Sequence, residues 1–205
     1  MGFEIEHVVK RLEEVQSNLR CAFAALCAER LLPWFDLVAK EMLLPDPTSV
    51  HDGLRLIWDY AEQGHRDDIA VATVLKRCEA QVESNWKHKW ANAADDCVAS
   101  VAYGLRAVRS NEAADAAWAG MRITDSVFQY IMANVVLAGK IGVLRITKAD
   151  KDRAVDHPLY EAEIGRQKED LADLVKIRTD SLRPLTTLRE RARAAVPSVF
   201  GIAPE

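Results

Sequence analysis

Apolar residues recur at three-and-four spacing along almost the whole chain, and that period admits helices and little else. Ile5, Val8, Leu12, Val15 and Leu19 form the first stripe, the pattern of one buried face of an amphipathic helix. Val50, Leu54, Ile57, Trp58 and Ala61 form another, and Ala91, Ala94, Val98, Val101, Leu105 and Val108 a third. Ala114, Ala117, Met121, Phe128, Ile131 and Val135 form a fourth, ending near Gly139. Punctuation falls between them. Ser17 and Asn18 offer a break, Pro45 and Pro47 make a loop, Gly64 is a stop, and Asp67 or Asp68 caps the next helix, which reaches about Glu83.

Pro33 and Pro158 suit the first turn of a helix, where the missing N–H has no partner to lose. Pro33 is accordingly read as opening a short third helix. Pro158 opens a last helix that runs to about Ala195 and is kinked or broken by Pro184. Residues 140–156 show no clear period. "VLRIT" has strand character but no strand to pair with, so irregular chain or short helical turns are expected there. The expected architecture is all-α: a single domain over residues 1–205, a bundle of seven or eight helices with a long C-terminal helix. A chain of 205 residues that is 49% hydrophobic has enough apolar material for the core this requires.

One stretch interrupts the pattern. In "CAERLLPWF" the stripe through Leu19, Ala22, Phe23 and Leu26 leads on to Glu29 and Arg30. Both charges therefore fall on or beside the core-facing side, where an unpaired charge costs several kcal/mol. The candidate partners are Asp59, Asp95 and Asp96 for Arg30, and Arg55 for Glu29. Two arrangements satisfy this. The favoured one is a structural ion network that fixes how helices dock. The other is an interhelical pocket in which Arg30 holds an anionic ligand beside Glu29, Asp59 and Asp95.

The same residues carry a resemblance. "CAERLLPWF", then "LRLIWD" (Leu54 to Asp59), "DDCVAS" (Asp95 to Ser100), "HPLYEAE" and "SVFGI" stand in that order. The order resembles that of the YjaG-like family of bacterial helical proteins, catalogued as domain of unknown function number 416. The likeness spans residues 14–202 and implies an all-helical soluble bacterial protein; it supplies no activity and no catalytic residues. Two departures are Ala28, which separates Cys27 from the Glu-Arg pair, and a basic segment from Lys140 to Arg153.

The remaining chemistry is mostly negative. A net charge of −4 and a pI near 5.8 disfavour a general nucleic-acid binder. Trp86 and Trp90, interleaved with Lys87 and Lys89, are read as one packing face rather than a single-strand platform. Trp34, Trp58 and Trp118 are read as core or interface anchors. Glu4/His7 and Glu62/His65 give two E-x-x-H patterns, but at helix ends, where a di-iron ligand set does not project into a core. No metal or other cofactor is therefore expected. The four cysteines, Cys21, Cys27, Cys78 and Cys97, lack C-x-x-C spacing and read as reduced thiols of a cytoplasmic protein. No phosphate loop or nucleophile elbow is present, and no run is long enough to span a bilayer. The expected function is a non-catalytic protein-binding module of the adaptor or toxin-neutralising immunity type. Its partner is another protein, a toxin among the candidates, with self-association left open. The alternative is an enzyme or small-anion binder built on the Glu/Asp/Arg pocket.

Overall fold

The computed structural model describes residues 4–82, 87–138, 145–177, 183–195 and 199–201. Its spine is α2, Ser17–Met42. Every residue from Cys21 to Leu31 is buried. A helix can be buried on all sides only if other helices surround it, and five do: α3 (Thr48–Gln63), α5 (Ala91–Ser110), α6 (Ala113–Ile131), α8 (Pro158–Lys176) and α9 (Arg183–Ala194). The remaining helices form an outer layer. α1 (Ile5–Glu13) lies chiefly on α6, and α4 (Asp68–Val82) bridges α3 and α5. α7 (Lys148–Val155) lies on a π-helical turn, Met132–Val136, that continues α6.

Small residues let the inner helices approach. Ala22, Ala24, Ala25 and Ala28 stud α2, and α5 answers with Gly104. A Cβ on Gly104 would stand 2.6 Å from Ile57 Cδ1 and 3.3 Å from Ala24 Cβ, so glycine lets α2, α3 and α5 meet there without displacing the Ile57 side chain.

Helix ends follow local chemistry. Asp67 Oδ1 accepts from the Ile69 and Ala70 N–H groups at 3.1 and 3.0 Å, capping α4. Gly64, at φ +68°, ends α3. Thr147 and Asp150 form a capping box that opens α7. The His157 ring accepts from Leu159 N–H, with Pro158 in the first turn of α8 as expected.

Three expectations are corrected. Nine α-helices and a π turn occur among the described residues, rather than seven or eight helices. Pro33 starts no new helix, because α2 runs straight through it. A mid-helix proline costs about 3 kcal/mol. Beyond it Trp34, Phe35 and Val38 are fully buried, each worth about 1.5–3 kcal/mol relative to exposure, and that burial outweighs the break. The long C-terminal helix is two helices. The chain turns extended at Ile177 (φ −71°, ψ 129°), and Pro184 sits in the first turn of α9. Residues 145–147 are irregular and Lys148–Val155 is helical, in keeping with the expectation for that stretch. The readings that involve Glu83, Trp86 and Gly139, and the first two residues of "VLRIT", lie outside the described residues.

Leu43 closes α2 in the left-handed region, φ +50°, with its side chain 85% exposed. A leucine is strained there and has little packing to lose. Leu43→Gly should raise stability by about 1 kcal/mol in a urea titration; a loss would show that the contacts of Leu43 outweigh the strain.

Candidate functional site

Glu29 and Arg30 occupy consecutive positions on α2 and so point roughly 100° apart around it. Each is 1% exposed. Arg30 faces α8. Its two terminal nitrogens donate to Glu163 at 3.0 Å and Asp170 at 2.7 Å, both buried. Burial opposes the Arg30 charge, but the two carboxylates outweigh it and push its pKa up. Glu163, Gln167 and Asp170 follow at four-and-three spacing and form the inward polar stripe of α8. Gln167 donates to Glu163 at 3.2 Å, to Thr124 Oγ1 at 3.0 Å and to the Gly120 carbonyl at 3.1 Å, which ties the network to α6. Arg166 adds a pair to Glu163 at 3.2 Å.

Glu29 faces α3 and α9. Trp58 Nε1 donates to it at 3.0 Å. Arg189 Nε donates at 2.6 Å, and Arg193 donates to both carboxylate oxygens at 2.8 and 3.2 Å. Arg191, between them in sequence, bridges Asp170 and Asp173 at 2.7 and 2.8 Å. The interior is thus ionic. Arg30 Nε and Gln167 Oε1 are left without a partner among the described residues.

The structure supports the inward placement of Glu29 and Arg30 and corrects their partners. Asp59 points away from Arg30 and forms an exposed pair with Arg55 at 3.3 Å. Asp95 and Asp96 lie on another face of the molecule, and Arg55 does not reach Glu29. The residues that do meet the pair are Glu163, Asp170, Arg189 and Arg193. Glu163 was visible in "HPLYEAE", where a position in the first turns of a helix suggests a dipole role; it is instead fully buried. Arg189 and Arg193 stand four apart beside Leu185 and Leu188, which is a legible signal for two cations on one side of a buried stripe.

Asp95 and Asp96 open a second polar cluster, on the outer side of α5 and α6. Asp96 pairs with Arg122 at 2.9 Å and accepts from Ser126 Oγ at 2.6 Å. Asp95 Oδ1 is shielded and unbonded. Burial, and for Asp95 the neighbouring Asp96, raise both carboxyls to about 6 despite Arg122. Asp125, beside them, is raised as well, again by burial. Asp59 lies elsewhere, in the wall of a cavity of about 380 Å³ with Arg55, Gln63, His65 and Arg66.

The four thiols are buried, and burial pushes all of them up, Cys78 to about 12. Cys97 accordingly fits packing rather than nucleophilic chemistry. Gly64 ends α3 before His65, so Glu62 and His65 do not share a helix face. No group of three His, Cys, Asp or Glu side chains among the described residues is placed to hold a metal. Trp90 is a core residue as expected, packed on Trp34 at 4.2 Å. Trp118, read as a core or interface anchor, lies 40% exposed.

Fold and site together define an all-helical bundle whose last two helices are clamped to a buried central helix by ion pairs. The family model for a protein of unknown function (DUF416) matches residues 7–203, and the chain belongs to that family. The chain is similar to a crystal structure, that of a DUF416 family protein from Shewanella baltica OS155. The TM-score is 0.76 at 21% identity, over 95% of this chain and 97% of that one. No functionally curated protein matches. The quoted motifs now have places. "CAERLLPWF" supplies Glu29 and Arg30, "LRLIWD" the Trp58 donor and "HPLYEAE" Glu163. "SVFGI" supplies Phe200, which packs edge-on against Trp34 at 5.1 Å.

Arg30→Ala leaves Glu163 and Asp170 buried without their shared cation. It should cost about 3–5 kcal/mol by denaturant titration; a loss under 1 kcal/mol would show that the pocket readily hydrates. Asp95 gives a pH test. Its folded pKa of about 6 exceeds its ordinary 3.8, so the folded state binds the proton more tightly. The resulting stabilisation is full below the unfolded value and disappears as pH rises through about 6. Asp95→Asn should therefore raise Tm at pH 7.5 and flatten the Tm profile between pH 4 and 7. An unchanged profile contradicts the shift.

Proposed function

We infer that this protein is a non-catalytic protein-binding module, of the adaptor or toxin-neutralising immunity kind, that docks a basic partner protein in the cytoplasm. The observation that carries the reading is the outer face of α5 and α6. Trp118, 40% exposed, stacks on Tyr103 with ring centroids 6.1 Å apart, and the Arg106 guanidinium covers the Tyr103 ring at 5.2 Å. An exposed Trp and Arg stacked with a half-buried Tyr are the residue types that dominate binding energy at interfaces. Along the same face lie Asp95, Asp96 and Asp125 with Arg122, three carboxylates to one guanidinium. An incoming lysine or arginine would supply the missing cation, while Trp118 supplies apolar area.

The ion network around Glu29 and Arg30 supports the non-catalytic reading, since each of the two charges is already held by protein counter-ions. A small-anion site would instead use the 380 Å³ cavity, whose wall includes Arg55, His65 and Arg66 beside Asp59 and Asp67. Of the four residues proposed as a binding pocket, Asp59 lines it and Glu29, Arg30 and Asp95 do not.

Trp118→Ala removes the exposed anchor and leaves the core intact. Immobilised wild-type chain should retain a basic protein from host lysate that the Trp118→Ala chain, with unchanged circular dichroism, retains at least tenfold less. Equal capture by both chains removes the face from consideration. A hydrolase activity lost on Glu29→Gln in a folded chain replaces the reading with the enzymatic one.

A further inference from the structure

The bed beneath α9 has the features of a recognition groove, and the chain itself occupies it. Leu185, Leu188 and Ala192 of α9 are buried at 1%, 4% and 2% exposure. They stand at positions i, i+3 and i+7, one face of a helix. Arg189, Arg191 and Arg193 flank that face. The bed offers each a partner: Glu29 for Arg189 and Arg193, Asp170 and Asp173 for Arg191. The Trp58 ring lies under the Arg189 guanidinium at 5.3 Å. The acids and the aromatic face thus come from α2, α3 and α8, and the complementary pattern comes entirely from α9.

Two features make this occupant exchangeable. The α9 arginines are 31%, 41% and 54% exposed, so their outer sides are already hydrated. Arg30, in contrast, is held by Glu163 and Asp170, of which only Asp170 also pairs with α9, through Arg191. The Arg30–Glu163 pair thus links α8 to α2 without any α9 side chain, whereas the counter-ions of Glu29 come from α9 alone. Charge points the same way. α9 holds four arginines and one glutamate, net +3, in a chain of net −4, so the rest of the chain carries −7. An acidic body with an open acidic groove attracts basic segments.

We propose that the groove formed by Glu29, Trp58, Asp170 and Asp173 is a docking site for an arginine-rich amphipathic helix of a partner protein, with α9 as its intramolecular stand-in. The partner pattern is leucine at i and i+3, arginine at i+4, i+6 and i+8, and a small apolar residue at i+7. The mode is a helix laid in a groove. It goes beyond the α5–α6 face and shares with that reading only the premise that the chain binds proteins.

The test uses the full chain and a fluorescent peptide with the sequence of residues 183–194. Anisotropy should show saturable binding that weakens at least tenfold between 50 and 300 mM salt. The chain carrying Arg189→Ala and Arg193→Ala, whose own helix is loosened over an intact groove, should bind the peptide at least tenfold more tightly than wild type. A scrambled peptide of the same composition should not bind saturably. Trp118→Ala should leave peptide binding unchanged, which separates this groove from the α5–α6 face. Equal affinity for the scrambled peptide, no saturable binding to either chain, or no gain in the loosened chain overturns the proposal. So does a loosened chain that dimerises by exchanging α9 instead of taking up peptide, as read by light scattering.

Discussion

The structure depends on one buried cation. Arg30 sits midway along a helix buried on every side, so its desolvation is compensated chiefly by carboxylates that another helix brings to it. α8 brings Glu163 and Asp170, two turns apart. Gln167 between them must then find acceptors, and it finds them on α6, where Gly120 lets the two helices close. A Cβ at Gly120 would stand 2.7 Å from Gln167 Oε1. One charge thereby sets the rotation of α8 and its distance from α6. A well-packed apolar substitute for the whole set need not be less stable. What the charges contribute is a register, because a rotated α8 would bury carboxylates against apolar α2.

Glu29 extends the constraint by one position. Turned about 100° from Arg30, it leaves the α8 contact and needs counter-ions of its own. Trp58 and two α9 arginines supply them. The consequence is a two-layer arrangement: dry inner pairs that hold α8, and half-hydrated outer pairs that hold α9. Exposed pairs contribute little stability compared with buried ones, so the layers differ in how readily they open. The acidic body and the basic final helix follow from the same division.

Much of the fold was legible because helix signals are local. The Asp67 cap, the Gly64 stop and the Pro158 start all act within a turn, and each appears where the residue types put it. Pro33 misled because its local preference was outweighed by the burial of Trp34, Phe35 and Val38, a tertiary term. In the candidate site, the stripe position of Glu29 and Arg30 was enough to place both charges inside. Spacing names the face of a helix but not the helix that opposes it. That is why Asp59, next to Trp58 in sequence, is exposed while Glu163 is buried.

By itself the sequence determined that the chain is helical, where most helices start and stop, and that two charges near residue 30 require partners. Each of these follows from backbone geometry and desolvation, which operate on neighbours three or four residues away. Only the tertiary structure decided which carboxylates those are, that α9 rather than Arg55 neutralises Glu29, and that Asp95 and Trp118 share an outer face. Those pairings join residues as far apart as 29 and 193. They are set by which whole surfaces fit together, a property that no local spacing encodes.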